Sequence, residues 1–261
     1  MRRLLLFDLD ETLIEEQAAA AAAFDATAAF AVSETDNGMD PASFVTAARV
    51  ATRELWRTSP FYDYFMRLGI SSTETLWCGF EGGDATTRAL RKWTPGHRRA
   101  VWSKALQSQG IADNTFASSL AERLASERRL HHRVFPDVMP TLSVLAETHA
   151  LGLITNGPSC LQQEKIDATG LRPFFAAVVV SAELGAGKPD PLIFNYALAA
   201  FDASPKDAVM LGDSLPRDIE GALTAGLDAI WVNRLEQPPA IDRPGIPEIS
   251  TLAEVPAVLT A

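Results

Sequence analysis

The chain has 261 residues, of which 47% are hydrophobic and 21% charged, with 23 Lys plus Arg against 33 Asp plus Glu and a formal net charge of −10. That apolar content excludes a disordered or collagen-like chain, and an acidic surface repels a phosphate backbone, so no nucleic acid partner is expected. Its apolar runs stop at about seven residues (Ala18 to Phe24 is one), far short of the roughly 20 that cross a bilayer, so no membrane partner is expected either.

The start, Met1 to Phe7, briefly imitates a signal peptide, but Asp8, Asp10 and Glu11 interrupt it, and a cytoplasmic protein is expected. Arg3 to Leu9 suits a short strand buried on both faces. From Glu16 to Arg133 the texture is helical: Ala18 to Ala23, Ala47 to Trp56, Thr87 to Trp93, His97 to Gln107 and Ser118 to Leu130, with turns at Gly82-Gly83 and Pro95-Gly96. After Phe135-Pro136 strands alternate with helices. Strands are expected at Leu151 to Thr155, Ala177 to Ser181, Ala208 to Leu211 and Ala229 to Val232. Helices fall at Ser159 to Thr169, Pro191 to Phe201 and Asp218 to Ala225, and a last one starts at Thr251, where Thr251 and Glu254 have capping-box spacing.

Such alternation builds a parallel sheet, so the expected fold class is α/β: a Rossmann-like three-layer core over 1–15 and 134–261, with an inserted α-helical domain over 16–133. The charge divides with the texture. Residues 16–133 carry 14 basic and 13 acidic side chains, and the rest carry 9 and 20. The two cysteines, Cys78 and Cys160, stand 82 positions apart without metal-ligand spacing; they suggest neither a disulfide framework nor a zinc site and read as small buried hydrophobes.

Ligands of an open parallel sheet gather at the carboxyl ends of its strands, and all four ends here are chemically loaded. They carry Asp8-Leu9-Asp10, Thr155-Asn156-Gly157, Gly187-Lys188-Pro189-Asp190, and Gly212-Asp213-Ser214 with Asp218 five residues beyond Asp213. Singly, these are a helix start, a turn, a surface loop and an N-cap. Together and in order they describe a site. Crowded carboxylates repel unless a hard divalent cation such as Mg2+ sits among them. A cation beside a lysine, a hydroxyl and glycine-containing turns makes a pocket for a tetrahedral dianion such as phosphate. No Gly-x-x-x-x-Gly-Lys-[Ser/Thr] or Gly-x-Gly-x-x-Gly loop indicates a nucleoside triphosphate or dinucleotide. No Ser-His or Cys-His arrangement stands at a strand end, which leaves a carboxylate as the candidate nucleophile.

Phe7-Asp8-Leu9-Asp10-Glu11-Thr12-Leu13, Leu153-Ile154-Thr155-Asn156-Gly157, Lys188-Pro189 and Leu211-Gly212-Asp213-Ser214 through Asp218 resemble the four motifs of the haloacid dehalogenase (HAD) superfamily. The resemblance covers the whole α/β part, and the insertion resembles the helical cap of the phosphatase subfamily. It implies that Asp8 is the nucleophile and Asp10 the general acid and base. It further implies that Thr155, Asn156, Gly157 and Lys188 bind the phosphoryl group, Thr155 and Lys188 also serving catalysis. Asp8, the Asp10 carbonyl and Asp213 would hold Mg2+, supported by Asp218 and Ser214. An aspartate at position 10 separates the chain from the haloacid dehalogenases themselves, which have no acid there and need no metal. The implied activity is hydrolysis of a small phosphate ester, a nucleoside monophosphate or sugar phosphate, by a monomer or homodimer. Thr155-Asn156-Gly157 with Gln162 to Ile166 looks most like the pyrimidine nucleotidase and N-acylneuraminate 9-phosphatase group. A phosphomutase and a phosphate-responsive regulator are the alternative functions.

Within the insertion, Trp56, Phe61, Tyr62, Tyr64, Phe65, Trp77, Trp93 and Trp102 offer stacking surfaces, with core packing as the default for each. Arg53 and Arg57, one helical turn apart, could meet an anion but read first as a solvated face. The adjacent His131 and His132 face different sides of a helix and do not make a metal site.

Overall fold

A computed structural model of the chain describes residues 3–35, 38–235 and 245–260. They form two compact units, one comprising 3–16, 133–157, 162–235 and 245–260, the other 17–35, 38–132 and 158–161. The first is a parallel sheet of six strands in the order β3-β2-β1-β4-β5-β6. The strands are β1 (Leu4–Phe7), β2 (Ala150–Thr155), β3 (Ala177–Val180), β4 (Ala208–Gly212), β5 (Asp228–Val232) and β6 (Glu248–Ile249). The central strand β1 pairs Leu5 with Leu151 on one side and with Val209 on the other, so the loops after β1, β2 and β4 leave the sheet side by side.

Strand alternation divides the sheet's apolar residues between two layers. Leu5, Phe7, Leu153, Leu211 and Ile230 face one way, against Val138, Leu142 and Val255. Leu4, Leu6, Ile154, Met210 and Trp231 face the other, against Ile193, Phe194 and Ala222. Burial on both faces is why these strands read as continuous apolar runs rather than alternating ones. The expected strand Arg3 to Leu9 is thus four residues long, although the Asp8 N–H still donates to the Leu211 carbonyl at 2.9 Å.

The helices run in chain order. The first five are α1 (Glu16–Ser33), α2 (Pro41–Arg57), α3 (Tyr62–Leu68), α4 (Ala85–Gln107) and α5 (Asn114–Leu130). Next come α6 (Val138–Thr148), α7 (Ser159–Ala168), α8 (Ser181–Leu184), α9 (Pro191–Ala200), α10 (Glu220–Thr224) and α11 (Val255–Thr260). In the helical unit Asp40, Asp84 and Asp113 cap α2, α4 and α5 through their carboxylates. Its core holds Phe24, Phe44, Trp102, Leu106 and Leu120; the Trp102 ring lies 6.0 Å from Phe24 and 5.8 Å from Phe44. Trp102 is therefore a core residue, and Arg53 and Arg57 are exposed.

Pro95-Gly96 does not make the expected turn. Helix α4 runs through Pro95 because Leu90, Thr94, His97, Val101 and Trp102 form one buried stripe, and that packing outweighs the local breaker. Helix α6 and strand β6 carry no strong local signal and were not expected. The expected helix Asp218 to Ala225 begins instead as a π-helical turn, Leu215–Ile219, before α10. Thr251 does form a capping box with Glu254, over a 3-10 turn that leads into α11. Among the described residues no helix is long and apolar enough to cross a membrane.

Candidate active site

Asp8 follows β1 directly, and its carboxylate meets Lys188 Nζ at 2.5 Å. The same ammonium reaches Asp218 Oδ1 at 2.7 Å and donates to the Ile154 carbonyl at 2.9 Å. Lys188 is buried, which alone would favour its neutral form, but Asp218 and Asp8 outweigh that and push its pKa up. Asp8, Asp213 and Asp218 bring carboxylate oxygens within 4.8 Å of one another. Burial, then repulsion from Asp8 and Asp218, raises Asp213 to about 8. Burial raises Asp218 to about 6, Asp8 adding to it and Lys188 opposing it. Three crowded carboxylates facing one ammonium leave excess negative charge, and that donor set fits a hard dication.

Close backbone packing builds this cluster. A Cβ on Gly212 would stand 2.4 Å from Asp218 Cγ, so the aspartate occupies the space a side chain would take. The Asp218 carboxylate also accepts from the Ser214 N–H at 3.0 Å, so Ser214 contributes its backbone. Trp231 Nε1 donates to the Asp213 carbonyl at 2.8 Å and fixes the loop after β4. After Asp10 the chain turns sharply through Glu11, held at φ 62, with its N–H on the Ile14 carbonyl. Arg234 secures the same loop by donating to the Thr12 carbonyl at 2.8 Å and pairing with Asp137 at 3.0 Å.

The expected phosphoryl-binding loop divides its work. The Asn156 side chain binds the Lys188 peptide from both sides, donating to its carbonyl at 2.9 Å and accepting from its N–H at 2.8 Å. Asn156 thus positions the lysine with its side chain. Gly157 gives its N–H to Ser181 Oγ at 2.9 Å, which ties the loop after β2 to the start of α8. The buried Thr155 hydroxyl donates to Gln162 Oε1 at 3.3 Å.

Asp10 and Asp8 meet different lysines. Both Asp10 carboxylate oxygens lie at 3.0 and 3.1 Å from Lys165 Nζ, which also pairs with Glu16 at 3.4 Å. Asp10 is not among the three residues, Asp8, Asp213 and Asp218, whose carboxylate oxygens gather within 4.8 Å of one another. Reading the strand ends alone passed over Lys165. The available signal was its position in α7, where Leu161, Gln162, Lys165 and Ile166 are all buried, two polar residues on a helical stripe otherwise apolar.

A second pairing was missed altogether. In the helical unit Cys78 Sγ and Cys160 Sγ lie 3.7 Å apart. The Cys78 hydrogen bond, opposed by burial and helped by backbone N–H groups, lowers the half-buried Cys160 to about 6, whereas burial pushes Cys78 far up. Spacing in sequence carried no trace of this contact.

Residues 3–226 match the family model of haloacid dehalogenase-like hydrolases. A phosphoserine phosphatase of Thermus thermophilus is 35% identical over 236 residues, 89% of each chain. The mouse N-acylneuraminate-9-phosphatase is 36% identical over 167 residues, 62% of this chain and 67% of that protein. Among solved structures, the HAD-hydrolase YfnB of Bacillus subtilis, bound to magnesium, superposes with a TM-score of 0.67 at 25% identity, covering 100% of this chain and 99% of that one. A 2-haloacid dehalogenase of Pseudomonas syringae gives 0.64 at 30% identity, with the same coverage. Motifs, sheet topology and family model agree: the chain belongs to the haloacid dehalogenase-like hydrolase family and is an enzyme of that family.

Proposed function

We propose that this enzyme is a Mg2+-dependent phosphatase that hydrolyses a small soluble phosphate ester, a nucleoside monophosphate or sugar phosphate, through an aspartyl-phosphate on Asp8. The observation that carries the reading is the pairing of a buried Asp8 with Lys188 inside a carboxylate cluster, with a second aspartate two residues on that stands outside the cluster. The named relatives, both phosphatases, support it.

In the first half-reaction an Asp8 carboxylate oxygen attacks phosphorus, the ester P–O bond breaks, and Asp10 gives its proton to the departing oxygen. In the second, water attacks the same phosphorus, Asp10 takes a proton from it, and the P–O bond to Asp8 breaks. Lys188 offsets charge on Asp8 and on the phosphoryl oxygens, and the Thr155 hydroxyl with the Asn156 backbone hold those oxygens. Asp8, the Asp10 carbonyl and Asp213 would hold the Mg2+, with Asp218 and Ser214 behind them; once bound, it supplies neutralising positive charge beside the phosphate. The helical unit would act as the cap that selects the ester. The enzyme would work in the cytoplasm, as a monomer or homodimer.

Phosphate release from O-phosphoserine, N-acylneuraminate 9-phosphate, nucleoside monophosphates and sugar phosphates, with and without Mg2+, tests this reading. The expected result is release that needs the metal and disappears in Asp8→Asn. The likeness to a 2-haloacid dehalogenase favours one rival, so 2-chloropropionate belongs in the panel. Chloride release without phosphate release would replace the phosphatase reading.

A further inference from the structure

Lys165 is a fully buried ammonium, its side chain 0% exposed. A buried cation is costly unless carboxylates and hydrogen bonds surround it, and an apolar side chain of similar size would ordinarily stabilise a helix stripe at least as well. Its presence among the buried residues Leu161, Gln162 and Ile166 of α7 therefore calls for a reason beyond packing.

The contacts supply one. Lys165 Nζ spans both oxygens of Asp10, at 3.0 and 3.1 Å. One cation shared by both oxygens fixes where the carboxylate stands. The second partner, Glu16 at 3.4 Å, begins α1 and anchors the ammonium independently of Asp10. Asp10 itself keeps 27% of its side chain exposed, whereas Lys165 has none. The aspartate is thus held from inside the protein while part of its side chain reaches the surface. Three residues earlier on the same face of α7, Gln162 accepts from the Thr155 hydroxyl. One helix face therefore orients two groups at the ends of two neighbouring strands, β1 and β2.

We propose that Lys165 is the positioning residue for Asp10, its ammonium, pinned by Glu16, setting the orientation in which the Asp10 carboxyl meets the leaving oxygen of the phosphate ester. The inference rests on the reading of Asp10 as proton donor to that oxygen. Lys165 does not touch substrate and takes no part in the attack by Asp8. Its contribution is confined to how well the proton reaches the departing group, and it grows as the leaving group becomes more basic.

A series of aryl phosphates of nearly equal size, p-nitrophenyl, phenyl and p-methoxyphenyl phosphate, isolates that contribution. kcat/KM is measured on the full-length Mg2+-loaded enzyme for wild type, Asp10→Asn, Lys165→Met and Glu16→Gln. General acid catalysis is worth roughly 10² to 10⁴ in rate and matters least for the best leaving group. Lys165→Met is expected to lose at least about 10-fold more on phenyl than on p-nitrophenyl phosphate, with KM changed less than about threefold, in the pattern of Asp10→Asn but to a smaller extent. Glu16→Gln should steepen the same dependence to a smaller extent than Lys165→Met, and it keeps the question answerable if Lys165→Met does not fold. Equal losses across the series in both variants, or no loss, overturn the positioning role while leaving Asp10 as the acid. A flat series in Asp10→Asn removes the acid reading itself, and this inference with it.

Discussion

Gly212 ends β4 with no room for a side chain, because Asp218 folds back into the space its Cβ would fill, 2.4 Å away. Gly212→Ala must therefore displace a carboxylate that Lys188 and the Ser214 N–H otherwise hold. We expect phosphatase activity to fall about 100-fold or more with helix content by circular dichroism unchanged, since misplaced charge at such a site costs on that scale; activity within threefold of wild type would contradict the placement. In the helical unit, His97 stacks on Trp93 at 4.3 Å and bonds Thr75 through Nε2 at 3.0 Å. The Thr75 hydroxyl already donates to the Ser72 carbonyl, so it accepts from His97 and Nε2 carries a hydrogen. Burial, helped by Arg98, lowers His97 from 6.5 to about 4. Between those values the unfolded chain binds a proton that the native one does not. Stability is thus complete above about pH 6.5 and declines as pH falls toward 4, by at most about 3 kcal/mol. Thermal melts of His97→Gln should show a flatter pH dependence over that window, and a slope identical to wild type would refute the assignment.

Helix α4 illustrates what local signals miss. Pro95 and Gly96 read as a turn, yet one buried stripe from Leu90 to Leu106 carries the helix through them, with both breakers on its exposed side. An interior proline removes one backbone hydrogen bond and crowds the preceding turn, at a cost of about 3 kcal/mol. Pro95→Ala should accordingly raise the unfolding free energy of the helical unit by about 1 to 3 kcal/mol; a decrease would mean that the proline is relaxed where it stands. Helix α7 failed differently. Its existence was readable from Ser159 to the glycine at 170, but its function was not, because the partners of Gln162 and Lys165 lie on other strands' ends. A sequence announces that a polar residue sits on a buried stripe, not what it meets there.

For the whole molecule, the legible part was the part with a period or a fixed order. Central strands buried on both faces stood out as apolar runs, and their order along the chain placed Asp8, Thr155 and Asp213 at adjacent strand ends, with Lys188 in the loop beyond β3 and α8. Contacts set only by three-dimensional closure stayed hidden. The Cys78 and Cys160 pair, the use of the Gly157 N–H by Ser181, and the clasp of Asn156 on the Lys188 peptide are of that kind. The carboxylate cluster also makes a claim about global stability, because a cation that relieves repulsion in the native state alone stabilises it by mass action. Mg2+ at 100 times its dissociation constant should add about 2.7 kcal/mol. The melting temperature should rise with Mg2+ and fall back with EDTA, and Asp213→Asn should abolish most of the difference; a melting temperature insensitive to Mg2+ would speak against the cluster as a metal site. The central claim, covalent catalysis by Asp8, is tested most directly by acid quench of a single turnover with a 32P-labelled substrate ester. The account predicts label on the peptide containing Asp8, labile to hydroxylamine and absent in Asp8→Asn. Phosphate release with no labelled protein at any time, or label that persists in Asp8→Asn, would contradict it.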